Sequence, residues 1–178
     1  ELLGEIFDTI GGYGRLEIRE GAGRTLQREY VEGIYWERGL FSRQMIADWT
    51  RVRSELEEAA IVFSDLHIHQ PQELLPVLIT AVQAGCRRLL LIADELSDSA
   101  LSLLLANNKP DHMQILAVKT PGYGQEQQAD FLKDAAVLCG GRPFLRSAGD
   151  RFTSIRPEDF GHARRVWADL RNFGVVGG

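Results

Sequence analysis

Cysteine is scarce in this chain, with only Cys86 and Cys139 among 178 residues. Two isolated thiols exclude a disulfide scaffold and fit a reducing, cytoplasmic compartment better than secretion. Apolar runs are short. The stretch 89–93, Leu-Leu-Leu-Ile-Ala, falls far below the roughly 20 residues a bilayer span requires, so no membrane partner is expected. Basic residues are outnumbered, 20 Lys and Arg against 25 Asp and Glu, for a formal charge of -5. Nucleic-acid surfaces normally carry a basic excess to neutralise phosphates, so none is expected here. Repeats and low-complexity tracts are absent. No signal peptide is legible and the first residue is Glu1 rather than methionine, so the sequence reads as an excised fragment. What is present is ordinary for a globular protein with a real core: 44% hydrophobic and 25% charged residues.

The pattern along the chain alternates helix-like and strand-like segments. Residues 2–10 read as the tail of a helix stopped by Gly11 and Gly12, and 16–19 as a short strand before a glycine turn at 21–23. Gly33 is expected to interrupt the next extended stretch, and 39–47 reads as an irregular, partly apolar loop. The spacing then predicts strands over 59–63, 89–92 and 114–118. Helices are expected over 70–84, with Pro71 in the first turn, over 97–107, with Ser97 as N-cap, and over 125–138, stopped by Gly140 and Gly141. Pro76 is expected to cost the first of these helices a hydrogen bond. Further strands are expected over 163–167 and 173–176. Strands alternating with helices of this length predict an α/β domain containing parallel strand pairs. A composition break near 31–33 and the Gly177-Gly178 pair are the best hinge candidates.

Two helices carry more apolar surface than one core requires. At about 100° per residue, Leu74, Val77 and Ala81 form one face, while Leu75, Leu78, Ile79 and Val82 form an adjacent one. On the next helix Ala100, Leu103 and Leu104 face the core, while Leu101 and Leu105 lie to one side. Neighbouring crossover helices can place such spare faces along one groove, the kind of feature that receives another chain. A further element or a partner subunit covering them permanently would make the same residues a plain oligomerisation surface.

No complete catalytic constellation is legible. Asp65-Leu66-His67-Ile68-His69 follows an apolar strand, and alternation would put Asp65, His67 and His69 on one side. His-x-His after a strand resembles the opening metal motif of the PHP and amidohydrolase families, so a metal-dependent hydrolase is an alternative. Such sites draw further ligands from other strands, and the remaining histidines, His112 and His162, are not at comparable strand ends. These residues are therefore expected to be solvent-exposed and non-catalytic. Pro121-Gly122-Tyr123-Gly124 precedes a helix but lacks the lysine and hydroxyl of a P-loop. Neither cysteine has a CxxC partner or adjacent histidine, so both are expected to be buried small apolar residues.

Several short stretches, taken together, resemble the group I chaperonins, the GroEL type. They are Glu32-Gly33 through Arg38-Gly39, Leu74-Leu75-Pro76-Val77-Leu78, Ala117-Val118-Lys119 with the Pro-Gly-Tyr-Gly turn, Leu138 with Gly140-Gly141, and Phe160-Gly161-His162-Ala163-Arg164-Arg165-Val166. They keep the family's order and nearly its spacing from Leu2 to Gly178. The resemblance implies a partial intermediate-domain segment of α+β character over 1–31. It implies an apical domain over 32–178, a layered α/β fold whose central sheet contains parallel strands flanked by helices.

The family's apical domain captures non-native polypeptides, and then a GroES-type co-chaperonin, in a groove between two helices and an underlying extended segment. Carried over by position, the resemblance assigns Leu75 and Leu78 on the first helix and Leu101, Leu105 and Ala106 on the second. Leu40, Ser42, Gln44 and Met45 fall on the extended segment, and Gly33 and Gly178 on the hinges. The family usually has aromatics where this chain has Gln44 and Met45, a proline at Arg43 and a larger aliphatic at Ala106. The resemblance further implies a ring of identical subunits and a cytoplasmic location. ATP and Mg would be handled by an equatorial domain outside this sequence, leaving the fragment without catalytic activity, cofactor or metal.

Overall fold

A computed structural model of the protein describes Glu5, Ile6 and residues 33–178. The chain divides into two units, Glu1–Tyr30 and Val31–Gly178. The expected strand over 16–19, the turn at 21–23 and the 1–31 segment as a whole lie outside the described residues. So does the expected helix over 2–10, apart from Glu5 and Ile6, which are helical. All the strands and the other helices described belong to the second unit.

The core is built on strands with long buried apolar runs. The strand β1 covers Gly33–Trp36 and β2 Ser54–Ser64, whose last six residues are all buried. After β3 (His67–Ile68) and a 3-10 turn (Pro71–Leu74) come helix α1 (Leu75–Gln83) and strand β4 (Arg88–Ala93). Next are β5 (Glu95–Leu96), helix α2 (Asp98–Asn107), β6 (Gln114–Lys119), helix α3 (Gln125–Cys139) and β7 (Pro143–Phe144). The unit closes with β8 (Gly161–Ala168) and β9 (Phe173–Val176). One sheet runs β1-β9-β8-β2-β4-β6, with β7 paired to β2, and β3 pairs with β5 in a second, two-stranded sheet. β2–β4, β4–β6, β2–β7 and β3–β5 are parallel, while β8 and β9 pair antiparallel with their neighbours. The runs in β4 and β6 are apolar without alternation because side chains on both their faces are buried, as parallel strands require.

Local signals place the helices. The Ser97 hydroxyl accepts the Ala100 N–H at 3.2 Å and starts α2. Gly140, in the left-handed region at φ 75°, ends α3. Pro76 behaves differently from expectation. The segment from Pro71 is first a 3-10 turn, and the α-helix starts at Leu75, so Pro76 falls in its first turn, where no N–H is needed. The Glu73 carboxylate accepts the His69 and Gln70 N–H groups at 3.0 and 2.8 Å and holds the turn's entrance. Gly33 also corrects the sequence reading: it opens β1, paired with Val176, instead of interrupting a strand. A Cβ there would sit 2.8 Å from the Val175 carbonyl, so close pairing explains the glycine. The two hinge candidates therefore lie close together, Gly33 beside β9 and Gly178 two residues beyond Val176.

Candidate functional site

Helix α1 buries one face and leaves another bare. Leu74, Val77, Leu78 and Ala81 are buried, whereas Leu75, Ile79 and Val82 keep 42%, 53% and 65% of their surface exposed. Spaced i, i+4 and i+7, these three form one narrow stripe. Leu78, which the resemblance assigns to the binding face, is only 9% exposed and belongs to the core. At about 100° per residue it stands about 40° from Leu74 and about 60° from Leu75, nearer the buried set. Ile79 and Val82 lie on the spare face of the helical wheel but outside the positions carried over from the family; their exposure adds them to the site.

Helix α2 packs on β6 and on the Pro71–Leu74 turn that leads into α1. Its Ala100 and Leu104 are buried. Leu101 and Leu105 are half-buried against the core, and Ala106 is exposed.

The extended segment contributes less apolar surface than the resemblance implies. Leu40 and Met45 are buried, Ser42 is half-buried and Gln44 is exposed. The cause is edge pairing. Leu40 bridges Val118, the Phe41 N–H donates to the Ala117 carbonyl at 3.0 Å, and the Lys119 N–H donates to the Gly39 carbonyl at 3.1 Å. The segment thereby covers the free edge of β6. Ser42 caps the short turn Arg43–Met45, accepting the Gln44 N–H at 3.1 Å. The buried Ser54 hydroxyl donates to the Met45 carbonyl at 2.6 Å and accepts the Ala47 N–H at 2.7 Å. Leu40 and Met45 are thus structural, and only Ser42 and Gln44 of the four face outward.

The Asp65-x-His67-x-His69 arrangement is not assembled either. β2 ends at Ser64 and β3 starts at His67, so the alternation breaks between them. Asp65 is fully buried, contrary to its expected exposure, and its Oδ1 accepts the Arg146 N–H at 2.7 Å. His69 is exposed, its ring centroid 6.2 Å from that of His67. His67 instead meets residues from other strand ends: its Nε2 lies 2.8 Å from Asp94 Oδ2 and its Nδ1 3.7 Å from Glu95 Oε2. Arg146 touches His67 and donates to Asp94 Oδ2 and Gln128 Oε1 at 3.1 and 3.0 Å, while Gln128 Nε2 donates to Asp94 Oδ1 at 2.6 Å. One signal for this was legible, since Asp94 follows an apolar run just as Asp65 does.

The cysteines offer no nucleophile. Cys139 is buried and Cys86 half-buried, and burial pushes both thiols upward, keeping them protonated at neutral pH. No helix among the described residues is long and apolar enough to cross a membrane.

No family model matches the chain. Among solved structures, the chain is similar to the chaperonin gp146 from the bacteriophage EL 2 (Pseudomonas aeruginosa), crystallised in the presence of ATP-BeFx. The TM-score is 0.70 and the identity 17%, over 99% of this chain and 34% of that one. The protein therefore has a chaperonin-like fold, and it spans only 34% of that chaperonin's length.

Proposed function

We propose that this chain is an apical-type chaperonin domain that captures non-native polypeptides on the bare face of α1. The observation that carries this reading is the stripe Leu75, Ile79 and Val82, three aliphatic side chains left largely in water on a helix whose other face is well packed. Unfolded clients share exposed apolar side chains and no fixed sequence, so their receptor needs burial, which is non-directional. Completing the burial of such a side chain contributes at most about 1.5–3 kcal/mol, so one stripe binds weakly. Leu101 and Leu105 on α2 would extend it, and the polar Ser42 and Gln44 would border it. Identical subunits in a ring would convert weak sites into firm capture through effective concentration, and a GroES-type co-chaperonin would compete for the same face. On this reading the chain binds without turning over ATP. ATP and Mg would act in another part of the parent protein, with Gly33 and Gly178 at the hinge that relays the motion.

The test is binding of a fluorescent, chemically denatured client to the 178-residue chain. Ile79→Glu and Val82→Glu are expected to abolish binding while circular dichroism stays unchanged, since both side chains are already solvated. Full binding by these variants would remove the reading. An obligate oligomer interface would announce itself differently, as a change in sedimentation on the same substitutions.

A further inference from the structure

The polar cluster at the carboxyl ends of β2 and β4 has a use that polypeptide capture does not explain. Open parallel sheets place their ligand sites outside these strand ends. Here Asp65 follows β2, Asp94 follows β4, Arg146 lies two residues past β7, and the β3–β5 pairing sets His67 directly opposite Glu95. One ligand atom each from His67, Asp94 and Glu95 lies within 4.8 Å of the others, so small side-chain movements bring them within about 4.2 Å, the span of one zinc shell.

Two features show that the cluster is incomplete as a set of protein–protein contacts. The first is a conflict at His67 Nε2, which touches both the Arg146 guanidinium and Asp94 Oδ2. Guanidinium only donates and carboxylate only accepts, whereas one ring nitrogen either donates or accepts. One of the two contacts is therefore never a hydrogen bond, although Asp94 Oδ2 keeps its bond from Arg146 Nη2 at 3.1 Å. The second is a pair of buried atoms without a hydrogen-bond partner, Asp65 Oδ2 and Arg146 Nε, lying 3.9 Å apart. Asp65 is wholly buried, and its free oxygen faces the guanidinium that crowds His67. Buried polar atoms in native proteins are almost always paired. Asp65 and Asp94 flank a single guanidinium and Glu95 adds a third carboxylate beside His67, which leaves a negative excess that a dication would neutralise.

We propose that His67, Asp94 and Glu95 bind a divalent transition-metal ion of the zinc class, and that the ion displaces Arg146 from His67 onto the waiting Asp65 Oδ2. An imidazole with two carboxylates suits borderline ions such as zinc over magnesium, which prefers all-oxygen octahedral sites. The ion takes the Nε2 lone pair, ending the conflict there. Closing the 3.9 Å gap needs only a small shift of the guanidinium, and it satisfies both orphaned atoms.

The site is independent of the α1 stripe and is tested separately. Equilibrium dialysis of the 178-residue chain against zinc is expected to show one ion per chain, undiminished by excess magnesium. Removing an outer-shell partner of a metal site costs about 10–100-fold in affinity, so His67→Gln and Glu95→Gln, which remove ligands, are each expected to cost at least that. His69→Gln should leave binding unchanged. Glu95 is exposed, so its variant keeps the native fold and the test decisive even if the His67 variant fails to fold. Absence of zinc uptake, or uptake that Glu95→Gln leaves undiminished, would overturn the proposal and mark any bound zinc as adventitious.

Discussion

Leu75 and Leu78 lie three residues apart on one helix and do opposite work. Leu78 is packed among core side chains, so Leu78→Ala is expected to cost about 2–5 kcal/mol, the range for leucine truncation in cores. Leu75 is substantially solvated, and Leu75→Ala should stay within about 1 kcal/mol of wild type while weakening client binding. Urea unfolding of the two variants separates them. Asp150 gives a pH-dependent counterpart. Burial alone would raise its pKa, but hydrogen bonds from Arg142 Nη2 at 2.7 Å and the Leu145 N–H at 2.9 Å outweigh this and hold it below the usual carboxylate range. A depressed folded pKa stabilises the protein above the unfolded value, about 3.9, and that stability vanishes as pH falls through the folded one. Asp150→Asn is thus expected to be less stable than wild type at pH 7. The gap should close as the medium is acidified below roughly pH 4, read from urea midpoints across pH.

At the level of elements, legibility follows burial. The strands over 89–92 and 114–118 are readable because aliphatic runs such as 89–92 and 115–118 have few other uses, and 173–176 because Phe173, Val175 and Val176 favour extended backbone; each is extended in the structure by no more than a residue or two. Helix α2 is readable from Ser97, whose hydroxyl caps it as expected. The two-residue strands β3, β5 and β7 carry no local signal, since their pairing partners come from distant sequence and only the folded topology brings them together. The same holds for Arg146, which reaches Asp65 and Asp94 across 81 and 52 positions. The extended segment misleads for a related reason. Its irregular, partly apolar composition gives no hint that β6 presents a free edge for Leu40 and Phe41 to pair with. Pro76 tests the revised start of α1. In a helix interior, replacing proline by alanine would relieve about 3 kcal/mol of strain. In a first turn, Pro76→Ala should instead lower stability by about 0.4–1 kcal/mol, by loosening the unfolded chain. Comparing urea midpoints distinguishes the two.

At the scale of the whole 31–178 unit, the architecture separates a packed platform from a bare surface. Parallel strands β4, β6 and the second half of β2, buried on both faces, form the core, and the stripe of α1 stands outside it. Exposed aliphatic side chains scattered singly need no explanation, but three at i, i+4 and i+7 spacing form a surface suited to apolar partners. Val137 and Leu138 on α3 are also exposed, but as sequence neighbours they stand about 100° apart and form no stripe, and so serve as the internal comparison.

The most direct measurement is a methyl NMR titration of the 178-residue chain with a short, soluble, apolar peptide. Progressive shifts are expected at Leu75, Ile79 and Val82, with smaller ones at Leu101 and Leu105, while Leu90 and Leu91 in β4 stay unmoved. Saturating peptide that leaves the α1 methyl signals in place, or moves only those of Val137 and Leu138, would contradict it.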